Sequence, residues 1–185
     1  MTGLVILAII VAIVGYVIFI YNDLVSKRQL KDEGWSGIDV QLKRRTDLIP
    51  NLLETVKGYM GHERATLEAV TNARAAATAG ANAGPAERSA LEGALSGALG
   101  KLLAIAEAYP DLKANTTFLE FQAALRTVED EIQLARRYFN GAVRNLNTAV
   151  ESFPSNVIAN AFKFEKSDYF ELENEADRAV PTVKF

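Results

Sequence analysis

His62 is the only histidine in the sequence and the side chain with the clearest potential for chemistry near neutral pH. Glu63 follows it, but no second histidine stands four residues further on, as the helical zinc-protease motif requires. The Glu-x-x-His word of carboxylate-bridged metal bundles is also missing. A lone histidine in a helix is more often exposed or hydrogen-bonded than catalytic. We therefore expect His62 to be exposed or hydrogen-bonded and to have no catalytic role.

No other residue type points to a reaction. The sequence contains no cysteine, which excludes disulfides, thiolate metal ligands and cysteine nucleophiles. The glycine-containing segment 79–85 lies between two helical patterns and lacks the preceding strand that a phosphate-binding loop needs. We therefore predict no catalytic residue, no metal site and no cofactor, and we expect that the protein is not an enzyme.

Two groups of polar residues are candidates for an interface or a structural network. They are Arg44, Arg45, Asp47 and Asn51 in one segment, and Arg136, Arg137, Asn140 and Asn147 in another. The two groups could meet as a buried hydrogen-bonded network, which stabilises a fold only if every member is satisfied. Alternatively, the arginines lie on a solvated face and the asparagines line it. Spacing does not decide between these arrangements, and either role is structural or interfacial.

The elements that carry these residues begin with a membrane span. Residues 4–21 are eighteen uncharged, almost wholly apolar residues, which as a helix cover roughly 27 Å, close to the hydrocarbon thickness of a bilayer. The start carries no basic residue and the exit has no Ala-x-Ala site, so a cleaved signal peptide is disfavoured. We assign residues 1–22 to the anchor, with these representative membrane residues: Leu4, Ile10, Tyr16, Phe19 and Tyr21.

Charge predicts how the span is oriented. Lys27, Arg28 and Lys31 follow the span and no basic side chain precedes it, so the positive-inside rule places the N-terminus outside and the bulk of the chain in the cytoplasm. The formal net charge is -3, which gives no general attraction for nucleic acid. The lipid bilayer is therefore an expected partner and nucleic acid is not.

Periodicity predicts helices throughout the rest of the chain. A long stripe begins at a capping box, Thr117 to Glu120, and ends at Pro154. An earlier stripe has Thr46 or Asp47 as its cap, tolerates Pro50 in its first turn and runs to about Thr78. A small-residue helix runs from Pro85 to Pro110, and a weaker stripe, 24–42, continues from the anchor as a stiff stalk. Four stripes joined by short links predict an all-α protein, with an antiparallel up-and-down four-helix bundle over residues 23–152.

Two further features bear on assembly. Residues 153–185 form a tail with five aromatics up to residue 170, including Phe164 and Phe170, and an acidic stretch after them. These aromatics either fold back on the bundle, which we favour, or dock on a partner or a second copy. Small residues on the third helix either pack inside the bundle, which we also favour, or form a seam between copies: Ala90, Gly93, Ala94, Gly97 and Ala98.

Several long words make the sequence similar to the LemA family of bacterial membrane proteins. They occur at 21–25, 35–59, 62–63, 108–114, 136–140, 143–147 and 153–156. The resemblance covers the chain from the anchor to about Phe170. It implies a single N-terminal membrane anchor and a cytoplasmic helical bundle, and hence the bacterial inner membrane. It implies no activity.

These features favour a non-enzymatic membrane-anchored scaffold that self-assembles or organises membrane-associated proteins. Tethering to a plane raises the effective concentration of the chain, so weak lateral contacts suffice and we expect a homo-oligomer. The alternative is an adaptor or accessory subunit of a membrane enzyme such as a protease or kinase, which would have a membrane protein as its partner. A large uniform particle favours the scaffold, and a small particle favours the adaptor.

Overall fold

The computed structural model describes residues 1–171 of the 185-residue chain. Within that part every regular element is helical and no strand occurs. The elements are α1 Thr2–Lys57, α2 Arg64–Ala79, a 3₁₀ turn Gly80–Asn82, α3 Pro85–Ala106, α4 Pro110–Lys113, α5 Thr116–Glu151 and α6 Ser155–Ala161. The predicted all-α class with a long apolar N-terminal helix is confirmed. Of the predicted acidic stretch 171–177, all but Glu171 lies outside the described residues.

Helix α1 contains the whole apolar run and continues beyond it without a break. Its most apolar window is only 6% buried within the chain, as expected for a face that has no protein partner. Helix α3 is also long and apolar enough to cross a membrane, but a larger share, 33%, of its window is buried. Several α3 side chains belong to a protein core described below, which is the ordinary reason for an apolar helix in a folded domain.

The predicted helix start at Thr46 or Asp47 is wrong. Helix α1 passes through both residues and through Pro50 and ends at Lys57, and the next helix begins at Arg64. The Thr46 hydroxyl donates to the carbonyl of Leu42, one turn back, at 2.9 Å, and Asp47 accepts from Lys43. Both side chains therefore bond within an existing helix and do not cap a new one.

The start of α5 also differs from the prediction. The Asn115 side-chain oxygen accepts the backbone N–H of Phe118 at 2.9 Å, which makes Asn115 the cap. The capping box predicted at Thr117 is wrong because Thr117 already lies in the first turn of α5. Asparagine is among the strongest N-cap residues, so the helix begins at the earlier position.

By contacts the described chain divides into two compact units. Unit 1 comprises residues 1–37 and 135–169, and unit 2 comprises residues 38–134 with 170 and 171. In unit 1, Gly34 and Trp35 lie against Phe139: a Cβ on Gly34 would be 3.0 Å from the Phe139 Cα, and the rings of Trp35 and Phe139 are 5.3 Å apart. A second buried cluster of unit 1 contains Ile20 and Leu24 of α1, Ala149 of α5, Ala159 of α6 and Phe164 just after it.

The core of unit 2 is larger and takes side chains from five helices. Its buried members are Ile49, Leu52, Leu53, Val56, Met60, Leu67, Val70, Ala77, Leu95, Leu99, Leu102, Ala106, Leu112, Phe118 and Leu125. Burial of such apolar surface at about 25 cal/mol per Å² is the main stabilising contribution to a unit of this kind. This core holds the C-terminal part of α1 beside α3, and a buried ion pair joins these two helices.

Candidate functional site

Arg45 on α1 is the centre of a buried charge network in unit 2. Its side chain is 2% exposed and forms an ion pair with Glu92 of α3, which is 1% exposed. Its other terminal nitrogen, Nη1, donates to Glu129 of α5 at 2.9 Å and to the Ser96 hydroxyl at 2.7 Å. Arg45 therefore connects three helices through charge-assisted hydrogen bonds, which are about twice as strong as neutral ones.

Arg88 completes the network from the first turns of α3. Its Nε donates to Glu92 at 3.1 Å, so the single buried carboxylate of Glu92 is shared by two guanidinium groups. The other nitrogens of Arg88 donate to Asp39 of α1 and to the carbonyl of Gly80, each at 3.2 Å. A buried carboxylate requires compensation of this kind, because an unpaired charge in a protein interior is very unfavourable.

A third arginine repairs the helix at Pro50. Proline has no N–H, so it cannot donate to the carbonyl four residues earlier, which is that of Thr46. The Nε of Arg74 on α2 donates to this Thr46 carbonyl at 3.0 Å. The side chain of α2 thus replaces the hydrogen bond that Pro50 removes from α1, and helix α1 continues through the proline to Lys57.

Arg74 and Arg88 also border a small cleft of about 210 Å³ between α1, α2 and the start of α3. Three cations and two carboxylates line it together with small residues: Asp39, Lys43, Thr46, Asp47, Arg74, Ala77, Thr78, Ala81 and Arg88. Lys43 and Asp47 form an exposed pair across one helical turn, and Arg74 and Arg88 are bonded as described above.

The charged groups of this site hold neighbouring helices together through ion pairs and hydrogen bonds. Arginine stays protonated in proteins, so Arg45 and Arg88 act as fixed donors and not as acids or bases. Glu92 accepts hydrogen bonds from both and is 1% exposed, so its carboxylate does not face solvent. Among residues 1–171 no group of three His, Asp or Glu side chains stands close enough to hold a metal ion. The expected absence of a metal site and of a cofactor stays a prediction.

The structure separates the residues of the first predicted polar group. Arg45 is buried in the network, whereas Arg44, Asp47 and Asn51 are exposed. In the second group Arg137 is exposed and Arg136, Asn140 and Asn147 are half-buried. Asn147 exchanges two hydrogen bonds with the backbone of Ser167, one through each end of its amide and both at 2.9 Å.

The sequence interpretation missed Glu92, Arg88 and Glu129. A signal for two of them was present: the buried stripe of α3 recurs at residues 88, 92, 95, 99, 102 and 106, with leucine or alanine at the last four positions. A charged residue in register with such a stripe indicates a buried polar contact. Glu129 of α5 carried no such signal.

Elsewhere in unit 2, the pKa of Tyr109 is shifted by its surroundings. The Tyr109 hydroxyl donates to Glu63 at 3.2 Å. Burial, together with this hydrogen bond and the Glu63 charge, raises the pKa of Tyr109 above its ordinary value. His62, next to Glu63, is exposed, but it lies in the turn between α1 and α2 and not in the predicted helix.

The C-terminal aromatics divide into two groups. Phe164 and Phe170 are 7% and 1% exposed and are buried in this chain, while Phe153 and Phe162 are exposed. Phe164 and Phe170 therefore pack within their own chain, as the favoured alternative expected, and are not available as an interface between copies. Phe164 fills the cluster around Ile20 and Leu24, because the apolar stripes of α1 and α5 do not close that cluster alone.

The small residues of α3 are more exposed than the favoured prediction of internal packing required. Ala90, Ala94 and Gly97 are exposed, and Gly93 and Ala98 are half-buried. A Cβ on Gly97 would meet nothing within 4 Å. Internal packing is thus wrong for the three exposed residues, since no described part of this chain covers them.

The predicted anchor residues lie on the exposed apolar part of α1. Leu4, Ile10, Tyr16 and Phe19 are 73%, 52%, 54% and 69% exposed. Tyr21 is half-buried, with its ring 4.8 Å from that of Phe162 and 5.8 Å from that of Phe164. Contacts with the rest of the chain therefore begin where the apolar run ends.

Comparison with known proteins identifies relatives along most of the chain. A family model, that of the LemA family, matches residues 34–185. Protein LemA of Metamycoplasma hominis is 25% identical over 150 residues, covering 79% of this chain and 68% of that protein. Magnetosome protein MamQ 2 of Paramagnetospirillum magneticum is 23% identical over 197 residues, covering 94% and 72%. Magnetosome protein MamQ of Magnetospirillum gryphiswaldense is 29% identical over 83 residues, covering 45% and 30%.

Proposed function

The chain belongs to the LemA family, and from this membership we propose that it is a non-enzymatic, membrane-anchored scaffold that self-assembles or organises other membrane-associated proteins. The family and the magnetosome relatives indicate a membrane-associated helical protein. The scaffold role is our inference beyond that. The observation that carries it is the form of α1, which joins an exposed apolar run to helix packed in a protein core, with no break.

The apolar run supports a single crossing of the bilayer. Large side chains from Leu4 to Phe19 are exposed on every face of the helix, so the chain itself supplies no core for them. In water such a surface would be strongly unfavourable, whereas lipid tails solvate it. We infer a single-pass protein of the bacterial inner membrane.

The basic residues after the span support a cytoplasmic location for the remaining chain, as inferred from Lys27, Arg28 and Lys31. A reporter enzyme that works only in the cytoplasm should be active when it is fused after Phe185. The matched fusion uses a reporter that works only after export and should be inactive. The opposite pattern would reverse the orientation.

The packing of unit 2 supports the finer architecture of an antiparallel up-and-down four-helix bundle. Residues of α1, α2, α3 and α5 share one buried core, and the links between successive helices are short. The Arg45 network adds directional bonds from α1 to α3 and α5. Such a lock suits a protein whose task is to keep one shape while it binds neighbours.

Self-association is best supported by the exposed strip of α3. Glycine in a helix interior costs about 1 kcal/mol relative to alanine. Gly97 and Gly100 are both exposed, and nothing in the described chain lies near either position. Close approach of a helix from another copy would explain the small residues there.

The experiment that tests the scaffold is particle size in a mild detergent or in nanodiscs, measured by mass photometry. We expect a homo-oligomer in the unmodified chain and a smaller particle for Gly97→Leu, because leucine would block the approach of a second helix. Ala76→Leu on α2 is the control, since Ala76 is also exposed on a helix. A single-copy particle in the unmodified chain would refute the scaffold and favour an adaptor of a membrane enzyme.

A further inference from the structure

The turn from α5 into α6 carries an exposed apolar surface that none of the preceding roles uses. We call residues 152–163 the corner. Phe153, Val157 and Phe162 in it are 83%, 56% and 55% exposed. Val157 and the exposed Ala161 lie four residues apart on α6 and share one face of that helix, while Phe153 and Phe162 lie in the turns just before and just after it.

The contacts within unit 1 place the corner at the end of the membrane span. Gly34 of α1 lies against Phe139 of α5, whereas Ile20 and Leu24 share a cluster with Ala149. The two helices are therefore antiparallel: moving ten residues forward along α5 corresponds to moving about ten to fourteen residues backward along α1, toward the apolar run. Helix α5 ends at Glu151, close to the level of Ile20, and Phe153 follows two residues later in the turn, near the last turn of that run.

Helix α6 is held at this level by its other face. Ala159 is fully buried in the cluster with Ile20 and Leu24, and Ile158 packs on the same cluster. The Phe162 ring lies 4.8 Å from the Tyr21 ring, edge to face. Tyr21 is the last residue of the apolar run, so Phe162 stands where the hydrocarbon ends.

We propose that the corner is a second lipid contact, in which Phe153, Val157 and Phe162 enter the boundary between headgroups and hydrocarbon in the leaflet where the span ends. The inference rests on the proposed membrane span. The headgroup layer is about 5–8 Å thick on each side, from the difference between total and hydrocarbon thickness. The rise from Ile20 to Leu24 is about 6 Å. A helix packed against these two residues therefore lies within that layer.

Residue types and charges at the corner favour lipid over a protein partner. Aromatic rings are enriched at the membrane interface, and a short helix with one apolar face inserts there to a depth of about 5–10 Å. The guanidinium of Arg28 lies 5.0 Å from the Phe164 ring centre, on the headgroup side of Tyr21 in sequence, where anionic phosphates lie. Asp23 and Glu151, the neighbouring carboxylates, are paired with Lys27 and Lys166, which reduces their repulsion from phosphate.

The absence of cysteine from the sequence makes a direct test possible, because any single cysteine introduced is the sole site of labelling. The full chain is reconstituted in phosphatidylcholine vesicles, with a nitroxide label at one position per variant. Labels at Phe153→Cys and Val157→Cys report on the corner. Phe19→Cys reports on the span, and Leu119→Cys is the matched control, an exposed leucine on α5.

We expect the corner labels to resemble the span label: more accessible to oxygen, which partitions into lipid, than to a water-soluble nickel reagent. The control label should show the reverse. Because insertion is apolar, the result should persist in about 1 M salt, where the Debye length is about 3 Å. Unchanged helicity of each variant by circular dichroism shows that the fold is retained.

Each contrary result has a distinct meaning. Corner labels as water-accessible as the control, with the span label in lipid, would overturn the second contact and leave the anchor intact. A water-accessible label at position 19 would overturn the span itself and the corner with it. Protection at the corner that disappears when the vesicles contain fewer chains would overturn the lipid contact in favour of a second copy.

Discussion

Replacement of Arg74 by methionine tests whether this side chain supports helix α1 at Pro50. In the structure Arg74 Nε donates to the Thr46 carbonyl, the group that Pro50 leaves without its helical partner. Methionine keeps most of the length and apolar stem of arginine and removes the donor. Any loss of stability then reports mainly on the hydrogen bond.

The size of the effect follows from the environment of the carbonyl. A buried acceptor left without a partner costs about 1–3 kcal/mol. Thr46 and Arg74 are both half-buried, so water can partly replace the bond and we expect the lower part of that range, about 1–2 kcal/mol. Arg126→Met on α5 is the control, because Arg126 is exposed.

The specific prediction is rescue by Pro50→Ala. Alanine restores the N–H that donates to Thr46, so the carbonyl no longer depends on Arg74. In this background the cost of Arg74→Met should fall to a few tenths of a kcal/mol, a coupling of about 1 kcal/mol between the two positions. Pro50→Ala alone should raise stability, since proline is the least favourable residue in a helix interior.

The assay is a urea titration of the full chain in a mild detergent, followed by helical circular dichroism, for the four members of the cycle. The variants are compared only where the slope of the free energy of unfolding against urea concentration (the m-value) is the same. A change in the urea midpoint then reports a change in stability. Equal costs of Arg74→Met with proline and with alanine at position 50 would refute the reasoning. The arginine would then contribute through the cleft or through α2 and not through the helix bond.

Three further predictions use the same titration. Gly34→Ala should lower stability by about 1 kcal/mol or more, because its Cβ would lie 3.0 Å from backbone; Gly37→Ala, with nothing nearby, should raise it by about 0.5–1 kcal/mol. Equal signs would contradict the close helix approach. Arg45→Met should cost about 3–5 kcal/mol, since it breaks a buried ion network, and Lys43→Met under about 1 kcal/mol; similar costs would count against the network. The fold favours the neutral hydroxyl of Tyr109, and for this reason its pKa is raised. The resulting contribution to the free energy of unfolding is present below about pH 10 and is lost as pH rises through the folded pKa. Tyr109→Phe should therefore reduce the loss of stability between pH 8 and pH 11, and an unchanged slope would contradict this assignment.

Much of the fold was predictable from short-range features of the chain. The apolar run from Leu4 to Tyr21 and the regular stripe after Thr117 both lie in the predicted type of element, because hydropathy and periodicity depend on neighbouring residues. Helix boundaries were less predictable. Asn115 and Thr117 are both good caps, and Thr46 and Asp47 have capping side chains that bond instead within α1.

The candidate site was predicted only at Arg45. Its partners lie 47 and 84 residues further along the chain, and no local pattern links a position on α1 to Glu92 or Glu129. A buried ion pair depends on which helices are adjacent and on their register, and both are results of folding. Glu92 and Arg88 were visible as charges within an apolar stripe, but their pairing with Arg45 was not.

The sequence alone determined the helical class, the long N-terminal apolar run and the family, since each depends on composition or on motifs within one segment. Tertiary structure decided which polar residues are buried, that Arg74 supplies the bond missing at Pro50, and that Phe164 closes the cluster at the end of the apolar run. The physical reason is that periodicity gives each helix an apolar face but does not name the helix that covers it. Long-range contacts between particular side chains, formed only when the helices pack, make that choice.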